Sequence, residues 1–224
     1  MSLQSLDSSR SFLIQPTPAG MPAIEPPRRA VQSPLEALFE RHLLQHRRLF
    51  AELDAQRDAV CEAAIVLADA LHRGGRLLFI GDPESAGICL HLAALLNVRL
   101  AQLRETPVAC ALVADTPALR ALAAGGSHAE MLTRQLAARA RLGDCVVAVC
   151  ASDDSACLVD ALQCAHAAGV CRVALLGRMG GPAREHAELS VLMAHYEARR
   201  VQEAQLFIGH AWCSQIESAL AVGA

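Results

Sequence analysis

Five short, nearly continuous apolar runs constrain this chain more than any other feature. They are RLLFI at 76–80, VACALV at 108–113, CVVAVC at 145–150, CRVALL at 171–176 and ELSVLM at 188–193. A strand wetted on one face alternates apolar and polar residues; runs of five or six residues without that alternation fit parallel strands covered on both faces. Segments of helical spacing lie between most of them. These run from Ser85 to about Val98, from Ala118 to Ala140 with a break at Gly125-Gly126, and from Ser155 to Ala168. A long final helix follows from Glu197 to Leu220. Two more helices precede the first strand. One opens at Pro34 with Ser33 as its N-cap, and the other runs from Leu53 to His72 and ends at Gly74-Gly75. The pattern predicts an α/β fold, a doubly wound sandwich around a five-stranded parallel sheet, with two leading helices and a long C-terminal helix.

Composition removes several functions. All twenty basic residues are Arg, so a Walker A lysine and a Schiff-base lysine are excluded. A net charge of −3, one Trp, one Tyr and five Phe leave neither a basic field nor stacking platforms, and no direct nucleic-acid contact is expected. No apolar run reaches the roughly 18 residues a spanning helix needs. The first twenty residues lack the long apolar core of a signal peptide. A cytoplasmic protein without membrane contact is expected. Nine cysteines without a C-x-x-C pair read as small buried hydrophobes in a reducing compartment. Six of the ten prolines fall in residues 1–34. Residues 1–33 are therefore expected to be a disordered or loosely docked tail, and 34–224 the folded domain.

In doubly wound sheets ligands bind beyond the carboxyl ends of the strands, which directs attention to 81–85, 114–117, 151–155 and 177–181. Loop 81–85 reads GDPES and lacks G-x-G-x-x-G, so a dinucleotide fingerprint is not supported. Loop 151–155 reads ASDDS, and 177–181 is the glycine turn GRMGG with one Arg. Ser85 and Ser155 stand where each would cap the following helix or meet a ligand.

The order of strand-GxxxS-helix, strand-xxDT-helix, strand-xxSxxS-helix, strand-xGxxGG and a last helix bearing RxQE resembles the SIS (sugar isomerase) domain, in its phosphoheptose isomerase and DiaA group. The segments TRQLAARARLGDCVVAVCASDDSACLVDAL (133–162) and ARRVQEAQLFIGHAWCSQIE (198–217) carry the resemblance, which spans about 35–222. It implies a sugar-phosphate pocket of serines and helix N-termini, with Ser85, Ser152, Ser155 and Gln202 on the substrate. It also implies a homotetramer with pockets at subunit interfaces; the two leading helices and the final helix, apolar on more than one face, predict a homodimer or homotetramer. The family's first loop reads Gly-Asn-Gly-Gly-Ser; Gly81 and Ser85 match, while Asp82, Pro83 and Glu84 depart. Its third loop reads Ser-Thr-Ser-Gly-Asn-Ser, matched at Ser152 and Ser155 and replaced at Cys150, Ala151, Asp153 and Asp154. An Asn-Asp substrate contact corresponds to Ala124 and Gly125.

The resemblance also implies a zinc ion on His, Glu, Gln and His. His91, Gln202 and His210 fill three places, and Leu95 stands where the Glu, also the acid/base partner, is expected. His91 alternatively reads as a core histidine on an apolar helix face. Gln202 and His210 lie about 12 Å apart along a straight helix. Without the carboxylate, three neutral donors leave the cation uncompensated, so no cofactor is expected, with zinc as the alternative.

Charge points the same way. Asp82, Glu84, Asp153 and Asp154 flank the loops where a phosphate would rest. A carboxylate about 5 Å from a phosphate charge costs on the order of 3 kcal/mol at an effective dielectric of about 20, and two would cancel roughly four decades of affinity. Arg178, in the glycine turn, offsets part of this cost, and in the opposing arrangement the acids face solvent or a cation such as Mg²⁺ or Ca²⁺. The reading is a non-catalytic or altered phosphosugar-binding, regulatory homo-oligomer, with a protein partner such as a replication initiator, as for DiaA. The alternative is an active sedoheptulose 7-phosphate isomerase, an aldose–ketose isomerase with His210 as its catalytic group; a third reading is an SIS module that senses a different, less anionic sugar.

Overall fold

The apolar runs do form a buried parallel sheet. The computed structural model describes residues 33–100, 108–113, 130–153 and 155–222. Its helices are α1 (Pro34–Glu52), α2 (Arg57–His72), α3 (Ala86–Arg99), α4 (Met131–Arg139), α5 (Ala156–Ala167) and α6 (Ala198–Val222), and its strands are β1 (Leu77–Gly81), β2 (Ala109–Ala111), β3 (Cys145–Cys150), β4 (Cys171–Gly177) and β5 (Leu189–Met193). The strands are parallel in the order β2-β1-β3-β4-β5. Every residue of β1 and β3 is buried, which explains their unbroken apolar sequence. β2 is shorter than its apolar run: Leu112 and Val113 leave the ladder in a turn, with the Leu112 N–H on the Phe79 carbonyl.

The sheet divides the core in two. Leu77, Phe79, Val147, Val149, Val173 and Leu175 face α2, α3 and α6, where Leu67, Leu92, Ile208 and Trp212 are buried. Leu78, Ile80, Val146, Ala148 and Leu176 face α4 and α5. Each such aliphatic side chain contributes about 1.5–3 kcal/mol by leaving water.

Contacts divide the chain into Met1–Phe39 and Glu40–Ala224. In the first unit, α1 begins with a capping box. The Ser33 N–H donates to Glu36 Oε2 at 2.8 Å, and the Glu36 N–H to Ser33 Oγ at 3.2 Å. Residues 1–32 of the tail expected at 1–33, the xxDT loop at 114–117, Ala124 and Gly125 lie outside the described residues. The second helix starts at Arg57, after a 3₁₀ turn at Leu53–Gln56.

The order places the topological switch point between β1 and β3, so their carboxyl-end loops, 81–85 and 151–155, lie side by side. No helix among the described residues is long and apolar enough to cross a membrane.

Candidate functional site

Asp82 organises the switch point. Its side chain is buried, at 6% exposure, and turns into the loop rather than toward solvent. Oδ1 accepts the Ser85 N–H at 2.7 Å; Oδ2 accepts the Ala151 N–H at 3.1 Å and the Cys150 thiol at 3.2 Å, with Ser152 Oγ 3.5 Å away. Donors from both loops thus converge on one carboxylate. Its charge is felt nearby: burial first, and Asp82 second, push the thiols of Cys89 and Cys150 up to about 12 each. Both remain thiols at neutral pH and are poor nucleophiles.

The other acids behave differently from the charge argument. Asp153 is neutralised by Arg178, whose guanidinium lies 2.8 Å from Oδ1 and 5.9 Å from the Tyr196 ring centroid. Glu84 is exposed, and its backbone carbonyl takes the Gln202 amide at 2.9 Å. Asp154 lies outside the described residues. Of the described acids of these two loops, only Asp82 turns into the cradle. Arg178 itself sits at a positive φ of 51°, uncommon for a residue with a Cβ and an indication of local constraint. The turn after it presses on the 151–155 loop: a Cβ at Gly181, φ 52°, would lie 1.9 Å from the Asp153 carbonyl oxygen, so only glycine fits.

The serines are distributed unevenly. Ser85 is fully buried, makes no side-chain cap, and its hydroxyl finds no partner. Ser152 lies half-buried beside Asp82 and Cys150. Ser155 is the N-cap residue of α5 in extended conformation, also without a side-chain capping bond. Ser152 and Ser155 line a cavity of 410 Å³ with Cys150, Asp153, Asp160 and Pro182. Ser85 is not among its lining residues.

His91 is exposed, which corrects the alternative of a core histidine. Its Nε2 lies 2.8 Å from His210 Nε2, joining α3 to α6, with ring centroids 5.1 Å apart. Leu95, one turn beyond His91, packs against the apolar core.

Gln205 escaped the sequence reading. It is fully buried, and its amide donates to the carbonyls of Cys150 at 2.9 Å and Leu175 at 3.1 Å, holding the ends of β3 and β4 against α6. The signal was a polar residue on the stripe Val201, Ala204, Ile208 and Trp212.

Comparison with known proteins fixes the family. Residues 42–177 match the family model described as SIS domain. This chain belongs to the SIS domain family. Within it the chain is similar to a phosphoheptose isomerase of Chlorobaculum parvum, 36% identical over 82% of this chain and 89% of that one. It is also similar to a phosphoheptose isomerase of Paramagnetospirillum magneticum, 35% identical over 68% and 80%. The solved phosphoheptose isomerase GmhA of Neisseria gonorrhoeae superposes with a TM-score of 0.76 at 26% identity, over 82% of this chain and 99% of that one.

Proposed function

We propose that this chain is a binding or regulatory homo-oligomer on the phosphoheptose isomerase scaffold, holding a sugar or sugar phosphate without interconverting aldose and ketose. The observation that carries this is Leu95. Moving a proton between adjacent sugar carbons needs a base in reach of the reacting carbon. The family pattern places a carboxylate one turn after the first histidine; here that position is aliphatic and packed on the core.

The zinc that the family pattern implies is poorly served by these donors. His91 and His210 meet, and the Gln202 amide nitrogen donates to the Glu84 carbonyl, but no third His, Cys, Asp or Glu joins them among the described residues. Two imidazoles and one amide offer no negative charge to a dication.

Assembly as a dimer or tetramer is supported by apolar side chains left exposed on the helices, including Leu43, Leu44, Ile65 and Phe207. The expected readout is a protein partner, such as a replication initiator on the DiaA resemblance, in the cytoplasm.

A second reading, an aldose–ketose isomerase acting on sedoheptulose 7-phosphate, is favoured by the contact between His91 and His210 and by the names of the relatives. Incubation with sedoheptulose 7-phosphate, with and without zinc, separates the two. The proposal expects no aldose product; turnover at 1 s⁻¹ or faster, ordinary for enzymes at about 1–10³ s⁻¹, rejects it.

A further inference from the structure

Oxyanion cradles work by aiming preorganised N–H and O–H groups at one point, and such donors serve one anion at a time. At the switch point that anion is already part of the chain. The Asp82 carboxylate takes the Ser85 N–H at 2.7 Å and the Ala151 N–H at 3.1 Å, from two different loops, with the Cys150 thiol at 3.2 Å and Ser152 Oγ at 3.5 Å. At 6% exposure, it is not a rim residue free to swing aside. The Ser85 hydroxyl beside it is fully buried and without a partner, one more donor than the carboxylate uses.

The adjoining cavity has the opposite character. Its volume, 410 Å³, lies at the small end of the range for ligand pockets, about 300–1,000 Å³. Its wall is mostly apolar, with Ala156, Val159, Pro182 and Ala183, and its polar groups are few: Asp153 and Asp160 as acceptors, Ser152, and Ser155, whose hydroxyl is not spent on capping. Arg178, the nearest cation on the 177–181 turn, is already paired with Asp153. Such a wall accepts hydrogen bonds from hydroxyl groups and offers little to a dianion.

We propose that Asp82 is a built-in surrogate for a ligand's phosphate: it fills the anion cradle, so that the cavity takes an uncharged polyhydroxylated sugar and rejects its phosphate ester. This rests on the reading of the chain as a sugar-binding member of its family, and it makes Asp82 the residue that determines specificity.

The test is calorimetric titration of inorganic phosphate, sedoheptulose and sedoheptulose 7-phosphate into the full chain, as wild type, Asp82→Gly and Asp82→Asn, with circular dichroism to check the fold. Removing the carboxylate releases both backbone N–H groups and the negative charge. Asp82→Gly is expected to bind inorganic phosphate at least thirtyfold more tightly than wild type. Asp82→Asn keeps one acceptor oxygen and is expected to gain at least fivefold; it decides the matter if the glycine variant does not fold. Equal affinity of wild type and the folded variants for phosphate, including no binding by any, overturns the proposal. So does a tenfold or greater preference of wild type for the 7-phosphate over the free sugar. Turnover of the ester in the same samples bears on the reading of a non-catalytic protein alone, since the phosphate comparison between wild type and variant stands without it.

Discussion

Alkaline titration of the site offers a sharp physical test. Cys89 and Cys150 flank Asp82, and their thiols are pushed from 9.0 to about 12 by burial and by its charge. In the unfolded chain both ionise near 9; in the folded chain they keep their protons up to about 12. Between those values the folded state binds more protons than the unfolded state, so stability falls as pH rises. Their contribution is fully present below pH 9 and lost on the way to 12. Each thiol sets a limiting slope of about 1.4 kcal/mol per pH unit. From pH 8 to 10.5 the two together remove about 4 kcal/mol, a large part of the 5–15 kcal/mol typical of a domain. Cys213, raised by burial to about 11, acts in the same direction. The hydrogen bond between Cys145 and Cys171 raises the first thiol and lowers the second, so these two act in opposite directions; outside the cysteines few groups intrude, because the chain has no Lys and a single Tyr, and arginine does not titrate in proteins. The assay is a set of urea unfolding curves under reducing conditions at half-unit steps from pH 7 to 10.5, repeated for Cys150→Ser. Wild type should be level to about pH 8 and then decline, and the serine variant should lose about 2 kcal/mol less over the same range. A stability that is unchanged between pH 8 and 10.5, or a decline untouched by the substitution, refutes the buried-thiol account.

Three further outcomes follow from particular contacts. Asp144 is buried at the amino end of β3, where its carboxylate receives the Arg76 guanidinium at 2.7 Å and the N–H groups of Arg76 and Arg141 at 2.9 and 3.0 Å. Asp144→Ala strands those donors and should lower the unfolding free energy by about 2–4 kcal/mol in urea melts. Gly181→Ala meets the Asp153 carbonyl at a positive φ and should cost about 2–3 kcal/mol by thermal denaturation, with the 151–155 loop displaced. Gln205→Leu leaves two strand-end carbonyls without their donor and should cost about 1–3 kcal/mol, whereas a surface Gln substitution should stay within about 0.5 kcal/mol.

The sheet was legible because burial on both faces forces a strand to be apolar throughout, a property of consecutive residues. The cap at Ser33 was legible for the same local reason: its partner Glu36 is three residues away. Asp82 was legible as a departure from the family pattern, but its orientation was not. That depends on the Ala151 N–H, 69 residues distant, which the β1–β3 pairing brings alongside. The charge count overstated Asp153 and Glu84: the offset that Arg178 offered in sequence became a direct pair with Asp153, and the outward turn of Glu84 is a tertiary fact. The meeting of His91 and His210, 119 residues apart, likewise follows from how α3 packs on α6. Gln205 carried a readable signal, a polar side chain on a buried helical stripe, with partners that only the sheet supplies.

The central claim is that Asp82 holds the cradle. A crystal structure of the full chain grown with sedoheptulose 7-phosphate tests it most directly. The expected result is the Asp82 carboxylate still within hydrogen-bond distance of the Ser85 and Ala151 N–H groups, with no phosphate density against them. A phosphate seated on Ser85, Ser152 and Ser155, with Asp82 rotated away, contradicts it.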